Sequence, residues 1–130
     1  MEAATHVTGE VPAMKLLPIK PEIAHADLSK VDIRVGLIES VSDVPKSERL
    51  IKLAVDVGDH KRTVLVGMKG EREDPREIEG RQALFVVNLS PREMMGEVSE
   101  AMLLDIGYEN GITPVLAVPE APVPNGASAG

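Results

Sequence analysis

The sequence predicts a mainly β protein, a small five-stranded barrel with one short helix and extended segments at both ends. Three observations lead there. Short β-rich segments bounded by turn residues recur through the middle of the chain, without the 3.6-residue apolar period of a bundle helix. The composition is 43% hydrophobic but holds one Phe, one Tyr and no Trp, so the core must be aliphatic. A length of 130 residues suits one compact domain and not two.

Residues 1–18 hold no sustained period and contain Pro12 and Pro18, so they are expected to form a flexible arm. The domain proper is placed at residues 19–118. Its first strand runs from Ile33 to Val41, with Ile33, Val35, Leu37 and Glu39 on one face and Arg34, Gly36, Ile38 and Ser40 on the other. Gly36 permits a bulge or bend. Leu50 to Val57 alternates in the same way, and Gly58-Asp59-His60 turns the chain into Thr63 to Val66, a hairpin. Asp74 before Pro75 is a helix-start signal, with Gly80 as the stop, and this places the short helix. Ala83 to Val87 and Ala101 to Asp105 read as further strands. Asn110-Gly111 marks a tight turn before a last short strand near Val115 to Val118. Residues 119–130, rich in Pro, Gly and Ala, are expected to be extended or disordered. Five strands with one interposed helix is the outline of an OB-fold, a barrel whose face and loops take oligonucleotides.

Composition excludes several chemistries. Without Cys there is no disulfide framework, thiolate metal site or catalytic thiol, and a cytoplasmic location is expected. No apolar run approaches the roughly 18 residues of a membrane span, and no signal pattern opens the chain. His6, His25 and His60 are scattered, and no nucleophile elbow or phosphate-binding glycine loop occurs, so no enzymatic activity and no cofactor are expected. Glu71, Glu73, Asp74, Glu77 and Glu79 lack a calcium-loop spacing and read as a solvated surface, so no metal is expected. The net charge of −7 argues against indiscriminate nucleic-acid binding. The acidity sits at the ends, however: residues 28–104 carry 12 basic against 14 acidic side chains. A local basic face is compatible with that balance. The shortage of aromatics removes the stacking platform of single-strand coating proteins.

One stretch is spelled unusually: Asn88-Leu89-Ser90-Pro91-Arg92-Glu93-Met94-Met95-Gly96-Glu97-Val98-Ser99-Glu100-Ala101-Met102-Leu103-Leu104, with Asp32-Ile33-Arg34-Val35-Gly36 upstream. Together these resemble the tRNA-binding domain found in stand-alone proteins, in an appendage of methionyl-tRNA synthetases, and in the CsaA chaperone branch. The resemblance spans roughly Ile19 to Val118 and implies the same OB-fold. The departures bear on function: Ser90, Glu93 and Met95 stand where the family commonly has Lys, Lys and Arg, and Val66-Gly67-Met68 replaces a frequent Ser-Gly-Ile. Ser99-Glu100 looks more like the CsaA branch and some synthetase appendages than the stand-alone tRNA binders, where Ser-Gln is usual.

The resemblance implies an RNA surface near Arg34, Lys52, Lys61, Arg62, Asn88, Ser90, Arg92, Ser99 and Glu100. The guanidinium and ammonium groups suit phosphates, while Asn88, Ser90 and Ser99 suit sugar or base edges. Each residue also has a bland reading. Asn88 and Ser99 can cap their own turn, Arg34 can pair with Asp32, and Lys46, Arg49, Lys69 and Arg72 can be ordinary solvated surface. The implied function is noncatalytic recognition of tRNA by shape and backbone. Two rivals stand beside it, a chaperone binding unfolded polypeptide through adaptable Met68, Met94, Met95 and Met102, and a docking module for an aminoacyl-tRNA synthetase. A homodimer is implied by resemblance, with Leu16, Leu17 and Ile19 as interface candidates.

Overall fold

The computed structural model describes residues 11–130; His6 and the first part of the expected arm lie outside them. Strand β1 (Ile33–Asp43) is the spine. Its first half pairs antiparallel with β4 (Gln82–Val86) and its second half with β2 (Ile51–Asp56), which pairs in turn with β3 (Lys61–Val66). A register shift between Ile38 and Ser40 is the bulge that lets one strand serve both halves. The groups it frees are satisfied. Val41 N–H donates to Glu79 Oε2 at 2.7 Å, and Gly80 N–H donates to Ile38 O at 2.7 Å.

The alternation expected for β1 holds through Ile38, and the bulge then shifts it by one residue. Gly36 and Ile38 point into the barrel, followed by Val41 beyond the bulge. A Cβ on Gly36 would lie 2.6 Å from Val55 Cγ1 and 2.9 Å from the Phe85 ring, so only hydrogen fits there. Val35 is buried outside the main cluster and Leu37 faces residues 118–122. Around Gly36 the core is aliphatic as composition requires, with Ile38, Leu53, Val55, Val64, Ile78 and the single Phe85 fully buried.

The β2–β3 hairpin forms where it was predicted, Val57 N–H donating to His60 O at 3.0 Å across the turn. The Asp74-Pro75 signal produces a 3-10 turn, Pro75–Ile78, rather than an α-helix, with Arg76 N–H donating to Asp74 Oδ1 at 3.0 Å. One turn is all that fits before Ile78 enters the core. The α-helical turn is α1 (His25–Leu28), too short to leave a period in the sequence. After β4 come a hairpin of β5 (Arg92–Met94) and β6 (Glu97–Ser99), then β7 (Met102–Leu103) beside β4. A small ribbon of β8 (Asp105–Ile106) and β9 (Val115–Leu116) flanks the turn Tyr108–Asn110.

The segment past Val118 is extended and built into the barrel rather than left loose. Its strand β10 (Ser128–Ala129) pairs with Ile33 and Arg34 of β1, along the edge that β2 leaves when the chain turns away at Gly58. Gly126 N–H donates to Val35 O at 2.7 Å, and Gln82 Nε2 donates to Val123 O at 2.6 Å. The crossing demands two glycines. A Cβ on Gly58 would lie 2.8 Å from Asn125 O, and one on Gly126 would lie 2.5 Å from Val57 O.

Closure of the barrel between β3 and the β4–β7 connection rests on the side chains of Ser99 and Glu100 and one backbone bond. Ser99 Oγ accepts from Leu65 N–H at 3.0 Å and donates to Ala101 O at 3.0 Å. Glu100 Oε1 accepts from Thr63 N–H at 2.8 Å, and Glu100 N–H donates to Thr63 O at 2.8 Å. The open edge of β3 is thereby covered without a long backbone ladder.

Candidate functional site

In this barrel the two loops that flank the β2–β3 face are residues 44–50, between β1 and β2, and residues 87–101, between β4 and β7. The first is drawn tight by Lys69, whose Nζ donates to Val44 O at 3.0 Å and to Ser47 O while pairing with Asp43. Lys69 is therefore a staple rather than a free phosphate partner. Between the two loops opens a cleft of about 750 Å³ with Met68, Met102 and Leu103 among its apolar walls. Arg49 and Arg92, one from each loop, are exposed at it. Tyr108, 60% exposed, supplies its aromatic ring. Lys20 from the N-terminal arm adds a third cation.

Carboxylates also line this cleft. Burial raises the pKa of Glu71, helped by the charge of Asp105 and opposed by Arg72 and Arg49. Burial likewise raises Asp105, against its own backbone hydrogen bond. With Glu109 they make a wall that attracts cations and repels anions, so an anionic group is favoured only on the Arg49–Arg92 side.

Six of the expected site residues gather elsewhere, at two adjoining pockets of about 510 and 210 Å³ beyond the β2–β3 turn: Lys61, Arg62, Asn88, Ser90 and Glu100 line the larger, and Arg34 joins Arg62 and Asn88 at the smaller. Most are already engaged. Asn88 Oδ1 accepts from Asp32 N–H at 2.8 Å, and its Nδ2 donates to Lys30 O at 2.6 Å, clamping the lead-in of β1 to the end of β4. Arg62 donates from Nη1 to Val87 O at 2.5 Å and Glu100 O at 3.0 Å, and from Nε to His60 Nε2 at 2.9 Å. Arg34 forms a two-pronged pair with Asp32 at 2.9 and 3.0 Å, which lowers the Asp32 pKa and raises that of Arg34. Lys61 pairs with Glu39 at 3.0 Å, an interaction that raises the lysine's pKa.

The remaining three lie apart. Lys52 reaches Glu97 of the β5–β6 hairpin at 3.4 Å and pins it to the barrel, and Ser99 is buried. Arg92 is at the large cleft. Among the described residues, Ser90 and Arg92 are the two expected contacts whose side chains have no hydrogen bond or ion pair within the chain. Sequence reasoning passed over Glu71, Asp105, Tyr108 and Asn110 as a group, because they converge only when the β8–β9 ribbon folds beside the loop after β3. The one available signal was Tyr108, the sole tyrosine, next to the Asn110-Gly111 turn.

Comparison with known proteins matches this geometry to relatives. The chain is 35% identical over 113 residues to a methionine–tRNA ligase of Nitrosomonas europaea, a match covering 87% of this chain and 16% of that enzyme. Its fold superposes on a MetRS related protein from Pyrococcus horikoshii with a TM-score of 0.74 and 32% identity, covering 84% of this chain and 99% of the other. The chaperone CsaA of Bacillus anthracis str. Ames is similar at a TM-score of 0.73 and 25% identity, covering 85% of this chain and all of the other. Residues 33–128 match the family model tRNA_bind, "Putative tRNA binding domain", a span that takes in the barrel, both loops and β10. This chain is a member of the tRNA binding domain family.

Proposed function

We propose that the chain is a noncatalytic module that binds folded tRNA in the cleft between its two flanking loops. The observation that carries this reading is the placement of Arg49 and Arg92 on opposite loops, both exposed, with Tyr108 lining the same cleft. Two guanidinium forks hold phosphates while one aromatic ring stacks an unpaired base, a minimal set for recognising an RNA backbone and loop. Ser90 and Lys46, both exposed, extend the contact surface along the same loops. Arg34, Arg62, Asn88, Ser99 and Glu100 then act by shaping the loops rather than by touching RNA. Titration of purified protein with folded tRNA between about 50 and 200 mM salt tests this, since phosphate contacts impose a steep salt dependence. In the variant Arg49→Ala/Arg92→Ala the log–log salt slope should fall by about 2. An unchanged slope overturns the reading.

A second reading rests on the half-exposed side chains Leu89, Met95 and Val98 of the β4–β7 connection and Met102 of β7, apolar groups suited to unfolded polypeptide. The structural likeness to a CsaA chaperone favours it as well. An unfolded polypeptide run as a parallel ligand decides between them. Salt-insensitive polypeptide binding without tRNA binding selects the chaperone function.

The protein is further proposed to act in the cytoplasm as a homodimer, alone or beside an aminoacyl-tRNA synthetase. Leu16, Ile19, Ile23 and Leu28 are 79%, 98%, 67% and 61% exposed, apolar side chains that a second copy would cover. Light scattering at micromolar concentration reads the dimer directly, and a monomer refutes it. Among the described residues, no helix is long and apolar enough to cross a membrane.

A further inference from the structure

The cleft proposed for RNA already has an occupant at its edge. Residues 11–20 run along the surface without secondary structure, and almost all of this arm is exposed. Two points are anchored. Lys15 N–H donates to Asn110 O at 3.1 Å while Asn110 Nδ2 donates back to Lys15 O at 2.8 Å, a reciprocal pair between the arm and the Tyr108–Asn110 turn. Beyond it Leu17, Pro18 and Lys20 form part of the cleft wall. Leu17 is 37% exposed, whereas its neighbours Leu16 and Ile19 are 79% and 98% exposed, so one apolar side chain is selected for the cleft.

Charge agrees with this placement. Residues 11–20 carry Lys15 and Lys20 and no acid, although the chain as a whole has a net charge of −7. The cleft that Lys20 helps to line also holds Glu71, Asp105 and Glu109, so the segment and the cleft carry opposite charge. Pro18 limits the backbone freedom that docking would cost.

We propose that the cleft is a docking site for the chain's own segment Lys15–Lys20, an extended apolar strand with flanking lysines, and that an incoming RNA must displace it. The arm is a built-in competitor. Docked, it takes up part of the cleft wall that an RNA strand would need, while Arg49 and Arg92 stay exposed at the opening. The displacement half of this inference rests on the RNA reading above; the docking half does not.

Hydrogen exchange on the full chain reads docking without RNA. The Lys15 amide should exchange at least about tenfold more slowly than an unstructured amide, and should return to the unstructured rate in Leu17→Ser/Pro18→Gly, which alters the arm and leaves Asn110 and the rest of the cleft intact. A synthetic peptide of residues 11–20 should bind that variant and fail to bind the wild type. The same variant should take tRNA about three- to tenfold more tightly, because a competent state that is only partly populated weakens apparent affinity by its population. Lys15→Pro, which removes the amide donor without altering the Asn110 side chain, should give the same gain. An unprotected Lys15 amide in the wild type overturns docking. Equal or weaker tRNA affinity after loss of protection overturns competition. If no form binds tRNA while the peptide still binds the variant, the RNA reading falls and the docking site stands.

Discussion

Ser99 belongs to the most distinctive motif of the chain, yet its surroundings assign it to architecture, and Ser99→Ala tests that assignment. The hydroxyl is buried, accepts from Leu65 N–H at 3.0 Å and donates to Ala101 O at 3.0 Å. Alanine fills nearly the same space, so the cavity term is small. What remains is a buried strand amide with no acceptor and a carbonyl that loses its donor. Leaving a buried donor unmade costs about 1–3 kcal/mol, and the carbonyl retains a partial chance of hydration through the adjoining exposed Glu100, so about 2 kcal/mol is expected. At this chain length that lowers Tm by about 6–10 °C. Urea denaturation should show a reduced midpoint with an unchanged m-value, because the same surface is exposed on unfolding. Titration of tRNA well below the unfolding transition should give an affinity within about twofold of wild type. A variant with unchanged stability and an affinity loss of tenfold or more would refute the reasoning and return Ser99 to the ligand-contacting set.

Other substitutions probe the remaining links. Gly36→Ala places a methyl 2.6 Å from Val55 Cγ1 and 2.9 Å from the Phe85 ring, and overpacking at a barrel bend should cost about 1–3 kcal/mol in chemical denaturation; a smaller loss means β1 shifts to accept it. Met95 is the one non-glycine with positive φ among the described residues, at 51°, beside Gly96 at 81° in the turn of the β5–β6 hairpin. Asparagine tolerates that conformation, so Met95→Asn should raise stability by about 0.5–1 kcal/mol by calorimetry, and a drop would show that the methionine packs. The raised pKa values of Glu71 and Asp105 mean that the folded chain holds protons which the unfolded chain releases from about pH 4 upward. Their contribution to stability is therefore full below that pH and is lost as pH rises through the raised values. Glu71→Gln/Asp105→Asn should flatten the fall in Tm between about pH 4 and pH 7, and an identical slope would count against the carboxylate wall.

Much of the fold was legible because it was written locally. Alternation in Leu50 to Val57 with Gly58-Asp59 behind it specifies a hairpin, and the structure pairs Ile51–Asp56 with Lys61–Val66 accordingly. The aliphatic core followed from the lack of aromatics. On β1 the two-residue period holds through Ile38, and the bulge after it shifts the parity so that Val41 rather than Ser40 faces inward; Gly36 signals that a bulge is permitted but not where the shift falls. The tail, expected to be extended or disordered, is extended, but its pairing with β1 had no local signature. Its prolines and glycines describe a segment with no regular period, which is also what a segment needs to thread along a barrel edge at glycine-only distances.

The candidate site divides along the same line. By itself the sequence determined the family, a mainly β barrel and the importance of the Asn88–Leu104 stretch, because each depends on residue identity and close spacing. Which side of that stretch faces a ligand was decided only by the tertiary structure. Asn88 meets Lys30 and Asp32 across 58 and 56 residues, and Ser99 meets Leu65 across 34, so their hydrogen-bonding groups are spent on partners that no local pattern reveals. Arg92 and Ser90, spelled within the same motif, are left facing outward, and Arg49, Tyr108 and the arm reach the cleft through loops far apart in sequence. The physical reason is that a polar side chain carries the same chemistry whether it closes a barrel or holds a phosphate, and only the three-dimensional neighbours decide which partner it finds.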